Sequence, residues 1–404
     1  MRILWVNPSF LDYRVPVYDA LNRMLDGGLR VVYSKERTPP RVVRKVEEAL
    51  GGNAIGLTGE HRLELGEKQA WANSFIRIPY QPGLMRTVLG IEADAVIGEG
   101  FFQWTPAALM KKLVQKTPLA IAYERTAHTE RRCPPWRTVY RRQVLKFVDA
   151  MLCSGEQCSR YSQSLGMPPD RIALGHMSAD TEGLRVRCSG IGPDLRAAIR
   201  KHLRVEGVAI LFIGRLVELK GVRRLMESWI RFEQACPGTA TLLIAGGGPF
   251  RPQLETMAAE AGLGNVRLLG HVDYDDLAAV YAAADAFIMP TLEDNGALVV
   301  PEAMACGLPI ICSKYNGMHE DLIRDGDNGW IFDPHDPEDF VDRLRVCVAS
   351  ASRLPEMGSR SVEIVQRHTP LRAAESVIDG CRMAISHAYR RQRGPQAGQL
   401  LTRP

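Results

Sequence analysis

Three segments in the second half of the chain carry side chains whose types and spacing suit an anionic, hydroxyl-bearing ligand. In FIGRLVELKG an apolar run ends at Ile213–Gly214, Arg215 follows, and Lys220–Gly221 leads into a helical pattern. Gly214 permits close backbone approach. Arg215 and Lys220 place two cations beside the positive end of a helix, a setting for a diphosphate, although a surface arginine and lysine on an ordinary loop would look the same. In LLIAGGGPF, Gly246, Gly247 and Gly248 follow a strand and precede a helix. They either let the backbone approach a ligand or simply make a tight turn. In MPTLEDNGALVVPEAMACGLPIICS, the acidic cluster Glu293–Asp294–Asn295 follows a strand, and Gly296 opens a helix whose first amides can face an anion. Asp294 and Glu302 lie eight residues apart, and a carboxylate so placed can accept two hydrogen bonds from the vicinal hydroxyls of a ribose or a sugar. Glu302 sits among the apolar neighbours Pro301 and Ala303–Ala305. Burying it is costly without hydrogen-bond partners, which favours a binding role over a solvated helix glutamate.

These segments fall at strand-to-helix junctions, where doubly wound sheets bind their ligands. Apolar runs alternate with helical patterns along the whole chain: Ile3–Val6, Leu29–Tyr33, Ala95–Gly98, Leu119–Tyr123 and Ala150–Ser154 in the first half. Val208–Ile213, Thr241–Ala245, Val266–Leu269, Ala286–Met289 and Leu308–Cys312 follow in the second. The alternation predicts parallel sheets covered by helices on both faces. Residues 178–205 are polar, contain Gly and Pro, and read as a linker. The fold class expected is therefore α/β, with two doubly wound, Rossmann-like domains: residues 1–180, then 181–370. Residues 371–404 read as a helix, packing back toward the first domain, and a basic frayed tail.

The chain has 404 residues, of which 46% are hydrophobic and 24% charged, which excludes wholesale disorder. No apolar run is long enough to cross a membrane, and the opening MRILWVNPSF does not read as a signal peptide. Nine scattered cysteines without a CxxC pair suggest neither a zinc site nor a disulfide framework, and a cytoplasmic location is expected. The net charge of +5 is uneven: residues 1–180 hold 25 Lys and Arg against 18 Asp and Glu, whereas the remainder holds 26 against 28. The first half is the part that would face something anionic.

The run from Phe212 to about Asp339, with GRLVELKG, IAGGGP, VRLLGHV, LAAVYAAADAFIMPT, EDNGALVVPEAMACGLPII and DGDNGWIFDPHDPE, resembles the nucleotide-sugar domain of the retaining glycosyltransferases of family 4. The resemblance implies the GT-B fold, two Rossmann-like domains facing each other across a cleft. It implies that Arg215 and Lys220 hold the donor diphosphate and that Glu302 holds the ribose hydroxyls as the second acid of an E-x7-E motif. The first acid falls on Asp294, one methylene shorter, with Glu293 beside it, so either one could contact the donor sugar. Gly214, Gly246 and Gly247 would flank the donor, the amides of Gly296, Ala297 and Leu298 would line the phosphates, and Gly270, His271 and Val272 would pass the nucleobase.

In the first half, NPSFLDYRVPVYDAL stands where the family often has a glycine-rich loop, with Asp12 and Arg14 as possible replacements for its backbone contacts. His128, in AYERTAHTERRCPPW, lies where related enzymes keep a histidine at the reaction centre; Glu99, Glu124 and Arg125 follow strand ends and could meet an acceptor. Arg131, Arg132, Arg137, Arg141, Arg142 and Lys146 interleave with Trp136, Val139, Tyr140 and Val144 at helical spacing. This reads either as a core helix with a solvated basic face or as contact with an anionic membrane surface. No nucleic-acid motif is present. The pairs Asp273/Asp275 and Asp325/Asp327 look like a helix cap and a turn rather than metal ligands, so neither a metal nor another cofactor is expected. The resemblance implies a glycosyltransferase, in the usual case a hexosyltransferase. It would move a sugar with retention from a nucleotide diphosphate sugar to a saccharide or lipid-linked acceptor, in polysaccharide or glycolipid assembly. A sugar-nucleotide epimerase on the same fold and a catalytically silent nucleotide-sugar-binding protein are the rival readings.

Overall fold

A computed structural model describes residues 1–65 and 76–393. The expected frayed tail beyond Tyr389 stays helical as far as Arg393, and its remainder lies outside the described residues. The chain divides into two compact units. One comprises residues 1–178 with the helix Pro370–Arg393, and the other Ala179–Thr369.

The first unit contains β1 (Ile3–Val6), β2 (Leu29–Ser34), β3 (Ala54–Leu57), β4 (His61–Leu65), β5 (Ile76–Tyr80), β6 (Ala95–Glu99), β7 (Leu119–Tyr123), β8 (Ala150–Cys153) and β9 (Ile172–Leu174). Seven of these form a parallel sheet in the order β3-β2-β1-β6-β7-β8-β9, while β4 and β5 pair antiparallel as a separate ribbon. Strands β1 and β7 are buried at every position, as parallel strands covered on both faces must be. The helix Pro370–Arg393 lies against the helix Arg14–Met24 and against β8 and β9, and places Ala374, Val377, Cys381 and Ala384 in the core.

The second unit contains β10 (Val208–Ile213), β11 (Ala240–Ala245), β12 (Val266–Gly270), β13 (Ala286–Met289), β14 (Ile310–Ser313) and β15 (Gly329–Phe332), in the order β12-β11-β10-β13-β14-β15. All its pairings are parallel. In each sheet the strand order reverses beside the first strand, between β1 and β6 and between β10 and β13. Ligands of doubly wound sheets bind at the carboxyl ends of such strands.

Residues 178–205 are not a linker. They form the helices Thr181–Ser189 and Pro193–His202. Asp180 caps the first by accepting a hydrogen bond from the Gly183 amide at 3.0 Å. Pro193 occupies the first turn of the second helix, where its missing N–H costs nothing. That helix buries no residue and is instead held by arginines. Arg196 and Arg200 reach Asp285 at 2.6 and 2.8 Å and also bond the carbonyls of Ala282 and Ala283. A hydrophobic-periodicity argument has no apolar stripe to find there.

The basic helix also departs from expectation. It spans Pro135–Leu145 and turns Arg137 and Arg141 inward, while Trp136 and Val139 are exposed. Arg141 forms a buried ion pair with Glu130 at 2.7 Å, so the six basic residues do not make one solvated face. Asp273 does not cap a helix with its side chain: the following helix begins at Leu277, and the Asp273 carboxylate lies 3.5 Å from His271.

Candidate functional site

In the second unit, β10 delivers Gly214 and Arg215 to the point where the sheet order reverses, and the segment after β13 delivers residues 293–298 to the same edge. Arg215 is exposed and has no ion-pair partner among the described residues. Lys220 ends a short 3-10 turn, Glu218–Lys220, and its ammonium pairs with the Asp294 carboxylate. That pairing answers which of the two acids faces the cation: Asp294 does. Glu293 is buried, and its amide donates to the Leu219 carbonyl at 3.4 Å.

The amides expected to line the phosphates are largely engaged within the protein. Gly296 N donates to Asp294 Oδ1 at 3.1 Å, and Ala297 N donates to Asn316 Oδ1 at 3.1 Å. Of the three, Leu298 precedes the helix Val299–Ala305 that carries Glu302. Asn316, fully buried, also donates to the Cys312 sulfur at 3.4 Å and so fixes the loop from the neighbouring strand.

The glycines serve backbone packing first. At Gly246 (φ +137°) a Cβ would lie 1.9 Å from the Gly214 carbonyl oxygen, and at Gly248 (φ +154°) 2.5 Å from that of Leu216. Gly221 (φ +69°) opens the helix Val222–Ala235, and a Cβ there would meet Pro290 O at 1.9 Å. Gly247, by contrast, faces open space. The strand ends can therefore lie close together only because these positions lack side chains.

Glu302 is 8% exposed and accepts a hydrogen bond from the Tyr281 hydroxyl at 3.0 Å. Burial lifts its carboxyl to about 7, with the Asp180 charge adding to the rise and Tyr281 and Arg187 opposing it. Tyr274 donates to Asp180 at 3.3 Å, and the Arg187 guanidinium stacks over the Tyr274 ring at 4.8 Å. Asp180, Arg187, Tyr274 and Tyr281 are thus parts of the Glu302 environment that the sequence reading did not single out. Two of them sit in the supposed linker; Tyr281 lies inside the matched LAAVYAAADAF run. His271 and Val272 lie just past β12, His271 being exposed.

In the first unit, a cavity of about 500 Å³ opens at the carboxyl ends of β1, β6 and β7, and Arg14, Glu99, Glu124 and Arg125 all line it, with Phe102 and Trp136 as aromatic walls. Arg14 is 1% exposed. Its guanidinium lies 3.1 Å from Glu99 and 3.6 Å from Glu124, and it donates to the His176 carbonyl at 3.1 Å. It therefore holds the two carboxylates in place more than it presents itself to a ligand. Glu99 also accepts from the Trp5 indole at 2.9 Å. Burial lifts its carboxyl to about 7 against the pull of Arg14, with Glu124 adding to the rise. Glu99, Glu124 and His176 offer ligand atoms within 4.8 Å of one another. Arg14 already compensates the charge of both carboxylates, and His176 is held neutral by burial and by Arg14, with its pKa down to about 3. Asp12, the other candidate in the first loop, faces away to Arg41 and Lys45 at 2.9 and 3.1 Å. His128 lies in the turn after β7 and is not among the residues lining the cavity.

Two doubly wound units of this strand order are the elements of the GT-B fold, and solved structures share that fold. Anabaena Alr3699/HepE in complex with UDP matches with a TM-score of 0.72 at 15% identity, over 94% of this chain and 99% of that one. An Escherichia coli protein described as trehalose-6-phosphate bound with UDP-2-fluoro glucose matches at 0.68 and 13% identity, over 95% and 99%. Residues 196–360 match the family described as glycosyl transferases group 1. A D-inositol 3-phosphate glycosyltransferase of Nocardia farcinica is 28% identical over 277 residues, 66% of this chain and 60% of that protein. One from Acidothermus cellulolyticus is 31% identical over 188 residues, 44% and 41% of the two chains. The chain thus aligns with about three-fifths or less of the length of these relatives. Among the described residues no helix is long and apolar enough to cross a membrane.

Proposed function

We propose that the protein is a retaining, metal-independent glycosyltransferase that moves a sugar from a nucleotide diphosphate sugar to an acceptor hydroxyl. The observation that carries this reading is the constellation at the β10/β13 edge: an exposed Arg215, a Lys220–Asp294 ion pair and a buried Glu302, all inside the family-matched segment. When a donor binds, Lys220 exchanges Asp294 for a phosphate oxygen, and Arg215 supplies the second cation. Together they stabilise the charge that builds on the leaving diphosphate, work a metal ion does elsewhere. Asp294, released from Lys220, is the acid placed to meet the donor sugar. The ribose hydroxyls donate to Glu302, which favours its ionised form and fixes the nucleotide. The leaving phosphate assists removal of the acceptor proton, and no protein nucleophile is assigned.

The acceptor is a saccharide or lipid-linked saccharide bound in the cavity of the first unit. Glu99 and Glu124 accept from its hydroxyls, and Phe102 and Trp136 cover its apolar ring faces. His128 remains the candidate for a histidine at the reaction centre. The outward face of the helix Pro135–Leu145, with exposed Val139 and Arg142, followed by exposed Lys146 and Phe147, suits an anionic membrane surface. A cytoplasmic enzyme attached peripherally to the membrane, acting in polysaccharide or glycolipid assembly, fits these features.

The test is a thermal-shift screen against UDP, GDP, ADP and their sugar conjugates, with and without EDTA. A ligand present at 100 times its dissociation constant adds about 2.7 kcal/mol to the folded state. A selective response that EDTA leaves unchanged is expected, with UDP the first choice because structural neighbours were solved with UDP and UDP-glucose. No response to any nucleotide would refute the donor site, and an EDTA-sensitive one would refute metal independence.

A further inference from the structure

Five of the nine cysteines are buried: Cys153, Cys158, Cys312, Cys347 and Cys381. Cys133, Cys188, Cys236 and Cys306 are partly accessible, and two of these four touch. The sulfurs of Cys188 and Cys306 lie 2.7 Å apart, although 118 positions separate them in sequence. Cys188 is on the helix Thr181–Ser189. Cys306 caps the helix Val299–Ala305, and its amide donates to the carbonyl of Glu302. Both thiols line an open cavity of about 1020 Å³ in the second unit, beside Arg185, Ile191, Tyr281 and Leu308, so a small molecule can reach them. A disulfide bond is about 2.05 Å long, so only a small approach separates the two thiols from bonding distance.

From this juxtaposition we propose that Cys188 and Cys306 are a reversible oxidation site that closes to a disulfide with a small-molecule disulfide such as oxidised glutathione. Cys188 is the attacking group: its hydrogen bond with Cys306 and the neighbouring Arg187 hold its thiol below the ordinary range. The Cys188 thiolate attacks one sulfur of the oxidant, forming a mixed disulfide and expelling one glutathione thiolate. Cys306 loses its proton and attacks the Cys188 sulfur, expelling the second glutathione as a thiolate. Two protein thiols are oxidised, one external disulfide is reduced to two thiols, and a reducing dithiol reverses the sequence. The bond joins the helix capped by Asp180 to the end of the helix that carries Glu302. It also closes a long loop, which restricts the unfolded chain and raises the melting temperature. The buried cysteines are out of reach of the same reagent.

The experiment treats the folded, reduced full chain with oxidised glutathione, then quenches free thiols and maps peptides by mass spectrometry. Two of the nine thiols should disappear, with one linked pair of peptides containing Cys188 and Cys306, a mass lower by two hydrogens, and a melting temperature higher by several degrees. Dithiothreitol should reverse all of these. In Cys306→Ser the reaction should stop at a glutathione adduct on Cys188, with no rise in melting temperature. Three results would overturn the proposal: retention of all nine thiols, a wild-type reaction that halts at a single adduct, or a disulfide to a different cysteine. The wild-type mapping decides the matter even where a serine variant fails to fold.

Discussion

Glu302→Gln separates the energetic cost of burying the carboxylate from its use in binding. The carboxyl is lifted from 4.5 to about 7, chiefly by burial. Below its unfolded value the group is protonated in both states and adds no pH dependence. Between 4.5 and about 7 the unfolded chain ionises freely while the folded protein keeps the proton, so stability is full at low pH, falls across that window and levels off above about 7. At about 1.4 kcal/mol per pH unit, the penalty approaches about 3 kcal/mol at about pH 8 and stays under about 1 kcal/mol at about pH 5. Glutamine is nearly isosteric, can still accept the Tyr281 hydrogen bond, and carries no charge. The variant should therefore melt above the wild type at about pH 8, by roughly 5–10 °C for a unit of this size. The two proteins should converge at about pH 5. Calorimetry at the two pH values checks the stability term, and titration with UDP checks the proposed binding role, which requires a weakened affinity once the side chain has lost its charge. A variant no more stable than wild type at the higher pH would refute the assignment of Glu302 as a buried carboxylate held at a cost for binding.

Other substitutions probe the rest of the site. Arg215→Ala should leave the melting temperature unchanged, since the side chain is exposed and unpaired among the described residues, yet weaken UDP binding by about 10–100-fold in calorimetric titration. Gly246→Ala should cost at least about 2 kcal/mol in denaturant unfolding because its Cβ would collide with the Gly214 carbonyl, whereas Gly247→Ala, facing open space, should be neutral. Arg14→Ala strands Glu99 and Glu124 and should destabilise the protein by about 3–5 kcal/mol at about pH 8. The loss should shrink toward about pH 5 as Glu99, with its carboxyl near 7, takes up a proton.

Local chemistry was enough to read the two α/β halves. Strands β1, β7, β10 and β13 are continuous apolar runs because both faces of a parallel sheet are covered, and such runs are legible without coordinates. Arg215, Lys220, Asp294 and Glu302 stood out as candidates because residue type and a short spacing suggest their chemistry. Short or edge strands such as β3 and β9, and the arginine-held helix Pro193–His202, give weak periodic signals and were not. The tertiary structure alone decided the partners. It set Asp294 rather than Glu293 against Lys220 and filled the Ala297 amide with Asn316 Oδ1. It buried Arg14 between Glu99 and Glu124 and turned Arg137 and Arg141 inward where the spacing suggested a solvated face. It also brought Cys188 to Cys306 across 118 positions. The physical reason is common to all of these. A sequence specifies what each side chain can exchange with its surroundings, but pairing across a sheet edge depends on which strand ends lie adjacent, and strand order is a property of the packed chain.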